Sequence, residues 1–455
     1  MKELDLTQGS VPKVLLQFAV PFLIANVLQA LYGGADLFVV GQYDDSASVA
    51  AVAIGSQVMQ TITGIILGIT TGGTTVLIAI ATGAKDNRKV AFTIGSSVWL
   101  FSITGVVLTL VMVLFHSRIA ELMHTPVEAM VDTKNYILVC SLGILFIVGY
   151  NVVCGILRGL GDSKTPLYFV GLACVINIVL DFILVGYFHW GATGAAIATV
   201  TAQGVSFGIA LWFLYRHGFH FDFSRKDIRL NRNLSKKILV LGAPIALQDA
   251  LINVSFLIIT VIVNQMGVIA SASLGVVEKI IVFAMLPPMA ISSAVATMTA
   301  QNYGAGLIKR MNKCLASGIG IALVFGVSVC VYSQFLPETL TAFFTKDAAV
   351  VAMAADYLRG YSIDCIVVSF VFCINSYFSG QGNSLFPMIH SLIATFLFRI
   401  PLSYWFSQID SSSLFIMGFA PPISTVVSLL ICIWYLRYTQ RKLYLRGTMM
   451  PAMSN

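Results

Sequence analysis

The chain has 455 residues, 58% of them hydrophobic and only 10% charged, with a mean hydropathy of +0.88. A soluble domain carries about 25% charged residues, so a soluble fold is excluded and a polytopic helical membrane protein is expected. The net charge of +7 is then a matter of topology, and no nucleic-acid partner is expected.

In chain order, hydrophobic runs bounded by charges or Gly/Pro turns predict twelve spans. They fall near 12–41, 48–82, 90–115, 127–157, 165–187, 192–215, 238–265, 270–302, 311–335, 347–378, 385–408 and 413–437. Several exceed the roughly 20 residues that cross a bilayer, so tilt, kinks or extension beyond the membrane are expected. The long interrupted runs are unlike the short alternating strands of a membrane barrel. No cleavable signal peptide is expected, because the first apolar run is long and no small-residue cleavage site follows it. All but six of the 27 lysines and arginines (the six being Arg118, Lys134, Lys279, Lys346, Arg359 and Arg399) fall near the termini or the loops after even-numbered spans. The positive-inside rule therefore places both termini, Lys2 included, in the cytoplasm of a multi-pass plasma (inner) membrane protein. Eight cysteines lie mostly in apolar runs without a CxxC, the usage of small buried hydrophobes rather than of disulfides or a metal site. His217 and His220 sit in a charged loop and are read as solvated.

The two halves repeat. GLGDSKTPLYF from residue 159 matches GQGNSLFPMIH from residue 380 at a constant offset of 221, and Gly83 meets Gly304 at the same offset. The first spans align after a two-residue shift, Pro21 against Pro244. Each half holds an even number of spans, so both enter the membrane from the same side. The expected fold is an all-α integral membrane protein: twelve transmembrane helices in two parallel six-helix repeats (6+6) around a central cleft. The divisions are an N-terminal lobe 1–215, a cytoplasmic linker 216–237, a C-terminal lobe 238–438 and a cytoplasmic tail 439–455. Pro21, Pro244 and the pairs at 287–288 and 421–422 favour kinks, either ordinary membrane-helix kinks or gating ones.

The duplication also acts as an internal control, because a polar residue needed for the shared fold should often recur. Asn177 meets Phe398, Asp181 meets Leu402, Thr199 meets Ala420 and Asp36 meets Ile259, so this polar set belongs to the first half alone. Counting residues from the span ends puts Asp36, Asp181 and Thr199 at one depth, about 8–10 Å below the outer surface at about 1.5 Å per residue. Asn177 lies one turn deeper on the Asp181 face. An ionised carboxylate there costs roughly 2.5–3.5 kcal/mol even on the lenient insertion scale. The set reads as an oxygen cage for Na⁺, as a proton-binding carboxylate pair, or as hydrogen-bond glue joining spans 1, 5 and 6. The second half carries Asp249, Glu278, Asp364 and Arg399 as candidate substrate-cleft groups, while Asp356 and Arg359 are spaced to pair on one helix.

On AVPFLIANVLQALYGGADLFVVG, LRGLGDSKTPLYF, VINIVLDFILVG, GATGAAIATV and AQNYGAGLIKR, the chain resembles the multidrug and toxic compound extrusion (MATE) transporters across essentially all twelve spans. The DNA-damage-inducible branch looks closest. The resemblance implies alternating access in an inverted-V cleft, with Na⁺ or H⁺ entering as amphipathic, often cationic drugs leave. It implies a first-lobe cation site at positions matching Asp36, Asn177, Asp181 and Thr199. The second-lobe acidic site of other branches has no clean counterpart. No cofactor beyond the coupling ion is expected, and small-molecule drugs or metabolites and the lipid bilayer are the expected partners of a monomer. A major-facilitator transporter and a lipid-linked oligosaccharide flippase are the rival transporters. An enzyme lacks a catalytic constellation, since Asp44–Asp45 reads as a turn, and a channel suits a duplicated two-lobe scaffold poorly.

Overall fold

The computed structural model describes residues 4–409 and 413–448; Lys2 and the end of the tail lie outside them. Regular structure among the described residues is helical throughout. Eleven helices are long and apolar enough to cross a membrane, or twelve with one bent pair. They are α1 (Val11–Tyr43), α2 (Ser46–Gly83), α3 (Asn87–Leu122), α4 (Met130–Leu142 with Ile144–Leu160), α5 (Lys164–Tyr187) and α6 (Gly191–His217) in the first half. The second half contributes α7 (Arg232–Asn264), α8 (Val268–Gly304), α9 (Ile308–Phe335), α10 (Ala348–Gly380), α11 (Leu385–Ile409) and α12 (Met417–Arg441). These are the twelve expected spans with shifted ends. α3 runs seven residues beyond 115 because nothing before Met123 stops it.

Short polar residues start the helices where the sequence punctuates them. Asp45 accepts from the Ser48 N–H at 2.9 Å and caps α2, which accounts for the Asp44–Asp45 pair as a helix entry. Asp86 caps α3 through the Lys89 N–H at 3.0 Å. Asp162 takes the N–H groups of Lys164 and Thr165, both at 3.0 Å, at the entry to α5. Such caps contribute about 1 kcal/mol each. Gly161 closes α4 at φ +98°, a conformation that side chains resist.

Irregularities sit inside the spans. α4 bends by 48° between its two pieces. Pro21, Pro244, Pro287 and Pro288 lie within helices. Pro421 and Pro422, expected to kink a span, instead lie in the first turn of the helix beginning at Ala420. There the missing N–H has no partner to lose. π-turns interrupt α2 at Thr70–Thr75, α5 at Phe182–Tyr187 and α11 at Ala394–Arg399. The turn in α5 begins immediately after Asp181.

The chain packs as two compact units. One comprises Met1–Ala250, Ser293–Cys314 and Ser379–Ser384; the other comprises Leu251–Ser292, Leu315–Phe378 and Leu385–Asn455. Within the first, the ends of α2 and α8 cross backbone to backbone. A Cβ on Gly83 would lie 1.8 Å from the Gln301 carbonyl oxygen, and one on Gly304 would lie 1.9 Å from that of Ile80. Gln301 is Ile80 displaced by 221, so the crossing obeys the internal repeat. Gly159 against the Thr75 carbonyl (2.9 Å) and Gly380 against that of Ala296 (2.5 Å) are related in the same way. Small residues at such crossings bring membrane helices into close contact, where dispersion does the work that hydrophobic burial does in water. These glycines lie at the loop ends that carry most of the basic residues, hereafter the basic end.

The crossing tolerates no side chain. Gly83→Val and Gly304→Val should each lower stability by about 1–3 kcal/mol, the usual cost of overpacking. Gly34→Ala, with no atom within 4 Å of its added Cβ, should leave stability intact. Thermal melting in detergent reads the difference, and equal melting of all three variants would refute the tight crossing.

Candidate functional site

Three helices of the first unit build the site. α1 carries Asp36, α5 carries Asn177 and Asp181 one turn apart, and α6 carries Thr199. Ala195, Ala196 and Ala198 on α6 are fully buried and offer little bulk between these helices. Asp36, Asn177 and Asp181 are at most 5% exposed. The Thr199 hydroxyl donates to Asp36 Oδ2 at 3.1 Å. Asn177 Nδ2 points at Thr199 Oγ1 from 3.4 Å. The Asp36 and Asp181 carboxyl groups face each other within hydrogen-bonding reach. All four residues singled out by the repeat comparison thus meet in one place.

The donors run out before the acceptors do. Asp36 Oδ1, Asn177 Oδ1 and both oxygens of Asp181 are buried without a hydrogen-bond partner among the described residues. Two carboxylates side by side hold no proton for each other, and their repulsion adds to the several kcal/mol that burying each charge costs. Hydrogen-bond glue accounts for the Thr199 contacts but leaves these oxygens without a donor among the described residues. A proton on one carboxyl would supply a donor to the other. A cation among the oxygens would satisfy them together, and an all-oxygen set suits hard ions such as Na⁺.

Tyr32 is a member the sequence reading missed. It lies one turn before Asp36 on α1, close to Thr199 and Gln203. The i, i+4 spacing to Asp36 was the available signal, but a tyrosine in an apolar helix does not stand out. Beside it, Gln29, Tyr150, Cys174 and Gln203 help line a cavity of about 10 Å³, at the lower limit of what holds one water. Tyr136 of α4 also packs nearby, its ring filling the space a Cβ on Gly55 would take.

The second-half candidates separate. In the other unit the Arg399 guanidinium lies 4.4 Å from the centre of the Phe256 ring, a favourable cation–π placement. Its charge also acts on Glu278 and Asp364, which lie near Thr260 and Thr425 respectively. Arg399, Glu278 and Asp364 therefore share one neighbourhood, a closer grouping than their positions in sequence suggested. Asp249 belongs to the first unit, where it is exposed on α7 with no hydrogen bond or ion pair among the described residues. Asp356 and Arg359 form the expected helix-surface ion pair at 3.3 Å.

Known proteins resemble this chain in sequence and fold. A probable multidrug resistance protein of Bacillus subtilis, YpnP, is 29% identical over 408 residues, spanning 90% of this chain and 91% of that one. The multidrug export protein MepA of Staphylococcus aureus is 25% identical over 381 residues, spanning 82% of each. A crystal structure of MATE in the bent conformation superposes with a TM-score of 0.91 at 23% identity, covering 98% of this chain and 99% of that one. That likeness speaks for the fold. The MatE family model matches residues 21–183 and matches again over 244–405, which is the internal duplication seen from outside the chain. Two matches that together span well over half of the sequence establish that this chain belongs to the MatE family.

Proposed function

We propose that the protein is a secondary active multidrug exporter, antiporting amphipathic or cationic drugs against H⁺ or Na⁺ by alternating access. The observation that carries this reading is the cluster of four buried, partnerless oxygens from Asp36, Asn177 and Asp181. It needs a positive charge, the first repeat alone possesses it, and it joins three helices that must repack if the site is to fill and empty. The names of the relatives, multidrug resistance and multidrug export proteins, support the substrate class.

In this reading the basic loops and both termini face the cytoplasm of a plasma membrane, and lobes 1–215 and 238–438 move about the linker 216–237. Uptake of the ion neutralises the Asp36–Asp181 pair and lets α1, α5 and α6 close around it. Loss of the ion restores the repulsion and loosens them. The ion drives transport only if it binds the two access states with different affinity. The π-turn after Asp181 supplies a segment of α5 whose backbone bonding can shift register at low cost. Arg399, Glu278 and Asp364 are the proposed charges facing a polar or ionised substrate. The chain acts as a monomeric carrier without catalytic chemistry.

Efflux of a cationic dye from energised vesicles tests the reading. Asp36→Asn and Asp181→Asn, expressed at the parental level, should each abolish gradient-driven efflux; parental rates in both would sink the coupling site. Thr199→Val removes the hydroxyl that donates to Asp36. A hydrogen bond to a charged group contributes about 1.5–3 kcal/mol, so apparent affinity for the driving ion should fall at least about tenfold. Replacing Na⁺ with choline at fixed pH identifies the ion: efflux stops for a Na⁺ carrier and persists for an H⁺ carrier.

A further inference from the structure

We propose that the segment Leu4–Gly9 is a latch across the basic end of the two repeats, and that Arg310 is the residue that positions it. The proposal rests on the alternating-access reading above, which requires the two repeats to part at this end.

The latch has two attachments. On the second repeat, Asn302 Nδ2 donates to the Leu6 carbonyl at 3.1 Å. The Arg310 guanidinium donates to the Leu6 carbonyl through Nη2 at 3.3 Å and Nε at 3.4 Å. It also donates to the Gly9 carbonyl at 2.7 Å and to that of Gln8. One planar fork thus holds three carbonyls of a single segment, a geometry an ammonium cannot reproduce. The Leu6 side chain beneath is fully buried. On the first repeat, the Leu4 N–H donates to the Gly161 carbonyl at 3.3 Å. Gly161 has room only for hydrogen there, since a Cβ would lie 2.5 Å from the Leu4 carbonyl oxygen.

The attachments are unequal. Charge-assisted bonds hold the second-repeat side, and one long neutral bond holds the other. When the repeats part, the segment should leave Gly161 and travel with Arg310. Gln301 Nε2 bridges the same two repeats directly, donating to the Gly159 carbonyl at 3.1 Å. Its backbone forms the Gly83 crossing. Latch and crossing therefore close the same seam.

The repeat supplies the contrast. Shifted by 223, the segment corresponds to residues 227–232, which lie reciprocally across the first repeat. The Asp227 carbonyl oxygen occupies the place of a Cβ on Gly95 (1.9 Å), and Trp99 Nε1 donates to the Ile228 carbonyl at 2.9 Å. Lys89 stands where the first strap has Arg310. Both entry segments are structural straps, but a guanidinium fork grips only the N-terminal one. Bonds made only in the closed arrangement shift the population toward it, and losing a charge-assisted set should raise the open fraction about tenfold or more.

Spin labels at Asn87→Cys and Lys309→Cys, both exposed at the basic end, read the opening by pulsed electron resonance in liposomes. The parent, whose eight cysteines are buried, supplies the labelling background. Arg310→Ala should enlarge the long-distance population about tenfold, and Arg310→Lys by less. Leu4→Pro, which deletes the donor to Gly161, should shift it in the same direction. Unchanged distances in both Arg310→Ala and Leu4→Pro would overturn the latch. So would lowered melting temperatures without a distance change, the mark of a merely structural strap. The measurement uses neither drug nor ion gradient, so failure of the coupling site in the efflux assay would leave its outcome readable.

Discussion

A lipid interior offers no water to complete a hydrogen bond, and the arrangement around Asp36 and Asp181 follows from that constraint. In a soluble core, orphan oxygens could recruit ordered water at modest cost. Here Asp36, Asn177 and Asp181 present four oxygens with no partner among the described residues, and the one Thr199 hydroxyl proton goes to Asp36 Oδ2. In the proposed function a proton or cation meets that demand, and its arrival and departure repack the three helices that hold the site.

The scaffold achieves this by making almost everything else symmetrical. The Gly83 and Gly304 crossings mirror one another, as do the contacts of Gly159 and Gly380. Both entry segments lie across the opposite repeat. Against that background, departures from symmetry mark where one repeat does something the other does not. Phe398 and Leu402 occupy the positions of Asn177 and Asp181, showing that the helical frame holds without the polar pair. The Arg310 fork has only Lys89 as its counterpart. A point charge can approach carbonyls, but it cannot hold three of them in a fixed plane.

Arg399, Glu278 and Asp364 follow a different electrostatic logic. Their unit brings two acids and a guanidinium together, with Phe256 under the cation. The guanidinium acts on both acids without a direct ion pair among the described residues, and Asp364 Oδ1 and Arg399 Nε are buried without a hydrogen-bond partner there. The Asp36–Asp181 pair has no such cation beside it among the described residues, and the proposed coupling role rests on that contrast.

By itself the sequence determined the spans, the duplication and the four polar residues of the first-half site. Each leaves a local mark: a lipid-length apolar run, a motif recurring at fixed offset, or a charge where charge is costly. Helical spacing could pair Asn177 with Asp181, and the span count could bring Asp36 and Thr199 to their depth. What only the tertiary structure decided depends on backbone geometry and contacts distant in sequence. The bend in α4, the π-turn after Asp181, the place of Tyr32 beside Thr199 and the grouping of Arg399 with Glu278 and Asp364 belong to this class. So does the grip of Arg310 on carbonyls some 300 positions away. The physical reason is that every residue has a carbonyl, so an interaction that reads the main chain leaves no residue-type signature in the sequence that accepts it.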